Sequence, residues 1–289
     1  MSPPRCRIAP LLVATALLAA CAQPPAPATP PMPIELQRLN EALRTHPIVL
    51  FGEVHDNAAQ HALRAQALRT LLDSGARPAL AMEQFDRERQ PELDRALARP
   101  GVTVDEVIAA GSADGRPMRG WSWPLYRPYI ALAIEYHLAL VAANVSRADA
   151  MHVIEDGLAA QGFDARVPAD IAAAQTSAIV DGHCGMLDAA QAGTMVSAQA
   201  ARDQFMARVI EAHAANGIVL LAGDGHVRRD IGVPRWLSAQ TRARSVSIGL
   251  LEGGDAAQAA AFDLTLATPA QPREDPCDAM LRAASAPRS

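Results

Sequence analysis

Lysine is absent from this chain of 289 residues; all 26 basic side chains are arginine, set against 31 acidic ones for a formal net charge of −5. That absence reflects genomic composition bias rather than function. No strongly basic tract occurs, so nucleic acid is not an expected partner. No repeat at a solenoid period is visible, which sets repeat architectures aside. There is no Gly-x-Ser-x-Gly elbow and no His-Glu-x-x-His zinc helix, so motif alone assigns no familiar hydrolase class. Aromatic residues are only 4% of the chain, and the three tyrosines are Tyr126, Tyr129 and Tyr136. The apolar stretch from Ile8 to Ala20 is too short for a comfortable membrane span.

That stretch follows Arg5 and Arg7 and ends Leu18-Ala19-Ala20-Cys21. It looks like a bacterial lipoprotein signal over residues 1–20 with Cys21 as the acylated residue; an ordinary secretory signal cut nearby is the other reading. Ala22 follows the cysteine where an aspartate would retain it, the pattern sent to the outer membrane with the domain facing periplasm or surface. Residues 21–33 are a proline-rich tether that holds the domain off the bilayer. Removing Arg5 and Arg7 with the signal takes the net charge from −5 to −7. The remainder fits one α/β domain over 34–266, with a helical insertion at about 149–216 and a loose tail over 267–289. Cys184 and Cys277 are then an even pair in an oxidising compartment. A disulfide, a thiolate metal or haem ligand, and two separate thiols are the open readings.

Two segments share one design: Ile48-Val49-Leu50-Phe51-Gly52-Glu53-Val54-His55 and Ile218-Val219-Leu220-Leu221-Ala222-Gly223-Asp224-Gly225-His226. Each is a buried-strand run that breaks at glycine and then offers a carboxylate and a histidine. Between them, Asn57 to Ser74 reads as an amphipathic helix, with Arg64 and Arg69 off its apolar face. A strand follows over Pro78 to Phe85, carrying Glu83. A polar helix comes next over Asp86 to Ala98, then a short one around Val104 to Ala110, and then a helix that Pro128 starts and that runs to about His137. Leu138 to Val145 is a strand ending at Asn144 and Arg147. Alanine-rich helices lead to the Ile218 strand, including a long one over Gln191 to Ala215; strands at Ser245 to Leu251 and Phe262 to Leu266 close the series. This alternation implies a three-layer α/β/α domain with a mostly parallel sheet. The tips Glu53/His55, Glu83, Asn144/Arg147 and Asp224/His226 all sit at carboxyl ends of strands, where open α/β sheets bind ligands.

The segments Gly52-Glu53-Val54-His55, Met82-Glu83-Gln84-Phe85, Trp123-Pro124-Leu125-Tyr126-Arg127-Pro128, Ala143-Asn144, Gly182-His183-Cys184-Gly185 and Gly223-Asp224-Gly225-His226-Val227-Arg228 occur in that order. Together with the lipobox they resemble the ChaN family of haem-binding lipoproteins, over roughly Ile48 to Leu251. The resemblance implies haem as ligand, tyrosine as iron ligand, a homodimer over cofacial haems, and an outer-membrane haem receptor as a possible source. It extends to erythromycin-esterase-like and Tiki-like proteins, where Gly-x-x-His and glutamate motifs carry hydrolysis, with metal in the Tiki branch.

Haem needs an axial ligand, apolar walls and partners for its propionates. Tyr126, beside Trp123 and Arg127, is the favoured ligand and Tyr129 the alternative. His55, His183, His226, Asn144 and Arg147 complete the candidate cofactor contacts. The second reading is a hydrolase in which Glu53, His55, Glu83 and His226 hold a divalent metal or act as acid and base. His46, His61, His137, His152 and His213 lack an obvious carboxylate partner and read as surface or packing residues.

Overall fold

The computed structural model describes residues 32–113, 115, 120–254, 256–275, 277–278 and 282. The signal segment, Cys21 and the tether up to residue 31 lie outside the described residues. No helix among the described residues is long and apolar enough to cross a membrane.

The chain opens with α1 (Ile34–Thr45), which sequence reading did not anticipate, then β1 (Ile48–Phe51) and α2 (Ala58–Asp73). β2 (Ala79–Asp86), α3 (Gln90–Leu97), α4 (Val104–Ala110), α5 (Trp123–Glu135) and β3 (Leu140–Asn144) follow. Next come α6 (Arg147–Asp156), α7 (Ala169–Gly182) and α8 (Ala189–His213), which together form the helical segment between β3 and β4 (Ile218–Leu221). The turn α9 (Asp224–Val227), α10 (Ala239–Ala243), β5 (Ser245–Glu252), α11 (Ala256–Ala259) and β6 (Leu264–Thr268) complete the order. Local chemistry fixes the ends. Asn57 caps α2 by accepting the Gln60 N–H at 3.0 Å, and Asp188 and Gln191 form a reciprocal capping box on α8.

Two expectations are corrected here. α5 begins at Trp123 with Pro124 in its first turn, and Pro128 lies inside the helix rather than at its start. The first turn has no hydrogen bond for a proline to break, so Pro124 is the natural starter. The tail is not loose throughout. Pro269 and Gln271 bond to Asn57 and Glu252, Arg273 pairs with Asp56 and Glu252, and Cys277 is joined to Cys184.

The six strands form one parallel sheet in the order β3-β2-β4-β1-β5-β6. Alternate residues feed opposite faces. Val49, Phe51, Leu80 and Met82 join one core under α1, α2 and α5, while Ile48, Leu50, Ala81 and Leu220 join a second core under Met206 and Ile210 of α8. Each of the larger of these side chains, wholly removed from water, contributes about 1.5–3 kcal/mol. The result is three layers, α/β/α. Register decides where function can sit: Leu221 lies opposite both Phe51 of β1 and Met82 of β2. Glu53, Glu83 and Gly223 therefore leave the sheet at one place.

Candidate functional site

At that place Glu53 is a buried hub. Its carboxylate is paired with Arg64 of α2, accepts the Tyr126 hydroxyl at 2.6 Å and accepts His55 Nδ1–H at 2.9 Å. Neither Glu53 nor Arg64 has any exposed side-chain surface. Arg64 also donates to the Phe51 carbonyl at 2.9 Å and lies over the Phe51 and Tyr129 rings. Burial pushes the Tyr126 phenol well above its ordinary value and the Tyr129 phenol up to about 12. Burial lowers His61 to about 4, so it is neutral: its Nε2–H donates to the His55 carbonyl, and its Nδ1 lies 3.1 Å from the Tyr129 hydroxyl, which donates to the His61 carbonyl.

A second buried group adjoins the first. Glu83 accepts the Gly223 N–H at 2.8 Å and lies 3.5 Å from His226 Nε2, while His226 Nδ1 meets Asp203 of α8 at 2.6 Å. Burial alone would depress the His226 pKa; the two carboxylates outweigh it and raise the value to about 9. The imidazolium form of His226 is thus favoured at neutral pH, with Nδ1–H bonded to Asp203 and Nε2 in a longer ion-pair contact with Glu83. Burial pushes the Asp224 carboxyl up to about 7, against a weak bond from the Leu250 N–H.

Two imidazoles remain open. His55 is 47% exposed, its Nδ1–H anchored on Glu53, with Trp121 edge-on at 4.8 Å. His183 donates Nδ1–H to the Ile179 carbonyl at 2.8 Å. The Nε2 atoms of both have no hydrogen-bond partner among the described residues. They flank the Gly223–His226 segment. A Cβ on Gly223 would lie 2.9 Å from the His55 ring, so only glycine admits that approach. On the other side, His183 lines a cleft of about 280 Å³ with Ile179, Gln199, Asp203, His226 and Ile231.

The other candidates lie elsewhere. Tyr126 and Tyr129 are 0% exposed, and their hydroxyls are spent on Glu53 and His61. Trp123 packs into the core against Phe85; Trp121 is the indole at the crevice. Arg127 pairs with Asp105 of α4 on the outer side of α5, and Asn144 donates to Asp86 at 3.0 Å. Arg147 is exposed at the start of α6. Three functional residues escaped the sequence. Arg64 had been placed on the polar face of its helix, yet it shares the inner face with Gln60 and Leu68 at helical spacing. His61 is a buried partner of Tyr129 rather than surface or packing filler, and Asp203 interrupts an otherwise apolar face of α8.

The family model for haem-binding uptake proteins of the ChaN type, Tiki superfamily, matches residues 39–237. The chain belongs to this ChaN family. The solved structure of ChaN from Campylobacter jejuni with cofacially bound haem is similar at a TM-score of 0.63 and 19% identity, covering 75% of this chain and 86% of that one. The type III effector HopBA1 matches at a TM-score of 0.50 and 14% identity, over 82% of this chain and 94% of that one. An erythromycin esterase mutant, EreC in its open conformation, follows at a TM-score of 0.43, 14% identity and coverages of 75% and 73%, too distant to argue from. No curated protein sequence matches the chain. Haem is the ligand that ChaN membership supports.

The cleft offers haem an imidazole in His183 and apolar walls in Ala178, Ile179 and Ile231. His55 and His183 each offer a free Nε2 with the opposite nitrogen anchored, the arrangement that fixes a ligating histidine's tautomer and aim. As folded, Tyr126 presents nothing to the cleft. The expected divalent-metal set of Glu53, His55, Glu83 and His226 is not assembled. Among the described residues no three His, Cys, Asp or Glu side chains are arranged to hold a metal ion. The physical reason is that the Glu53 carboxylate is taken by Tyr126, His55 and Arg64, and Glu83 accepts the Gly223 N–H. Neither cysteine is a thiolate ligand, since Cys184 and Cys277 form a disulfide with Cα atoms 5.4 Å apart.

Proposed function

We propose that this ChaN-family chain is an outer-membrane lipoprotein, anchored through Cys21, that binds haem for uptake or storage without turnover. His183, which lines the cleft, is the proposed iron-ligating side chain, and His55, across the Gly223–His226 segment, is the second candidate imidazole. The observation that carries it is the anchored His183 imidazole with its free Nε2 in the wall of an apolar-lined cleft, in a chain of the ChaN family. When bound, haem supplies a ferric centre that takes a nitrogen ligand; the protein's part is to orient the imidazoles and line the cleft with Ala178, Ile179 and Ile231. The lipid anchor, a homodimer formed on haem loading and delivery from an outer-membrane receptor belong to the same proposal.

The metal-dependent hydrolase reading has less support. A base needs a free lone pair near neutral pH, and His226 is held as a cation between Glu83 and Asp203.

Haemin titration followed by absorbance and native mass tests the proposal. Wild-type protein is expected to shift the Soret band. His55→Ala and His183→Ala should weaken the shift, and Tyr126→Phe should leave it unchanged. No shift with wild-type protein overturns haem binding; loss of the shift in Tyr126→Phe alone returns the ligand role to the phenol.

A further inference from the structure

His183 is the capping residue at the end of α7, and it lines the cleft. The turn beyond it has a specific form. The Cys184 N–H donates to the Asp181 carbonyl at 2.9 Å, and the Gly185 N–H donates to the Val180 carbonyl at 2.9 Å. These paired bonds, reaching from beyond the cap back into the last turn, are the Schellman ending of a helix. That ending needs a left-handed residue just past the cap, a place glycine usually takes. Here the residue is Cys184, at φ 59°, followed by Gly185 at φ 68°. A residue with a side chain is disfavoured at such a φ, because its Cβ crowds the following carbonyl oxygen.

Packing around this turn is sparse. A Cβ built on Gly182 or Gly185 would meet nothing within 4 Å, and Met186 is 40% exposed. The nearby apolar side chains of Ile179, Ala192 and Val196 form a small cluster apart from the two main cores. A covalent bond supplies what packing does not: Cys184 is joined to Cys277, 93 positions further along the chain. Both cysteines are half-buried rather than enclosed.

We propose that the Cys184–Cys277 bond is a redox latch on the haem cleft. Oxidised, it keeps Cys184 in the left-handed position past the cap, and so fixes the direction of the His183 imidazole. Reduced, Cys184 relaxes out of the left-handed region, the cap unwinds and His183 leaves the cleft wall. The reductant is a dithiol. The S–S bond between Cys184 and Cys277 breaks, each sulfur takes a proton from the dithiol, and the dithiol closes its own disulfide, with two electrons passing in all. The inference rests on the haem reading above, with His183 as the ligand. Cys184 is a positioning residue and acts through His183. Holding that imidazole in place before binding saves the ordering cost that a loose one would incur at that moment.

The test titrates haemin into oxidised wild type, wild type reduced with a phosphine and desalted under nitrogen, Cys184→Ser/Cys277→Ser and Cys184→Gly/Cys277→Ser. Affinity and the coordination-sensitive visible bands are read together. Both double variants lack the bond, but glycine takes the left-handed φ unaided. Reduced wild type and the serine variant are expected to bind about tenfold more weakly than oxidised wild type, a loss of preorganisation, with altered bands. The serine variant separates loss of the bond from ligation of iron by a freed thiol. The glycine variant should stay near oxidised wild type. Equal affinity in the oxidised and reduced forms overturns the latch and leaves haem binding standing. A glycine variant as weak as the serine one also overturns it, because the bond would then act on something other than the cap. So does collapse of the circular dichroism spectrum on reduction, since the bond would then hold the fold rather than the turn. Failure of oxidised wild type to bind haemin removes the haem reading and the latch with it.

Discussion

Replacing Arg64 by methionine probes the foundation of the site. Methionine keeps much of the length and removes the charge, leaving Glu53 as a carboxylate with no exposed surface. Breaking a buried ion pair from one side costs about 3–5 kcal/mol, because the remaining charge is uncompensated. Loss of the bond to the Phe51 carbonyl adds about 1 kcal/mol. For a domain of this size each kcal/mol lowers Tm by about 2–4 °C, so Arg64→Met should melt roughly 8–24 °C below wild type. The double variant Glu53→Gln/Arg64→Met removes both charges and keeps an oxygen for the Tyr126 hydroxyl. It should recover most of the loss, giving a coupling of about 2 kcal/mol or more in a urea double-mutant cycle. A loss under about 1 kcal/mol in Arg64→Met, or a double variant no more stable than the single, would refute the view of Glu53–Arg64 as a compensated buried pair.

The pH dependence of stability follows from two groups acting in the same direction. His226 rises from 6.5 to about 9 in the fold, so its contribution of about 3 kcal/mol is complete below pH 6.5 and lost as pH climbs through 9. Asp224 rises from 3.8 to about 7, a penalty that is absent in acid and complete above pH 7. The urea midpoint should therefore fall between pH 6 and pH 9, and Asp203→Asn should flatten the upper part of that fall; a midpoint that holds or rises over this range contradicts the assignment. Gly223→Ala places a methyl 2.9 Å from His55 Cε1 and should weaken haemin binding with an unchanged circular dichroism spectrum. Unchanged affinity would show that the ring is not set by this close approach.

The sequence made the scaffold of the site legible because strand ends follow simple rules. A run such as Ile218-Val219-Leu220-Leu221 broken by glycine marks a strand leaving a sheet, and the parallel register brings Glu53, Glu83 and Gly223 to one edge. What was not legible depends on angular position and on charge balance. Tyr126 and Arg127 are neighbours in sequence but point about 100° apart on a helix, which sends one to Glu53 and the other to Asp105. Trp121 rather than Trp123 reaches the crevice because the helix begins between them. Arg64 sits off the apolar face in the sequence pattern and Asp203 belongs to no motif; only the packed structure shows that each faces a buried partner.

That distinction explains how two copies of one motif come to do different chemistry. His55 and His226 each follow a strand, a glycine and a carboxylate. The carboxylate behind His55 is already compensated by Arg64 and hydrogen-bonded by Tyr126, so it orients Nδ1 and leaves Nε2 open at a half-exposed ring. His226 meets two carboxylates, Glu83 and Asp203, which favour its protonated form and hold Nδ1 in a hydrogen bond. The first arrangement suits a ligand for iron and the second is a fixed positive charge beneath the cleft. The difference in charge state and openness between the two histidines therefore turns on Arg64, a residue on a different element, and not on the motif itself.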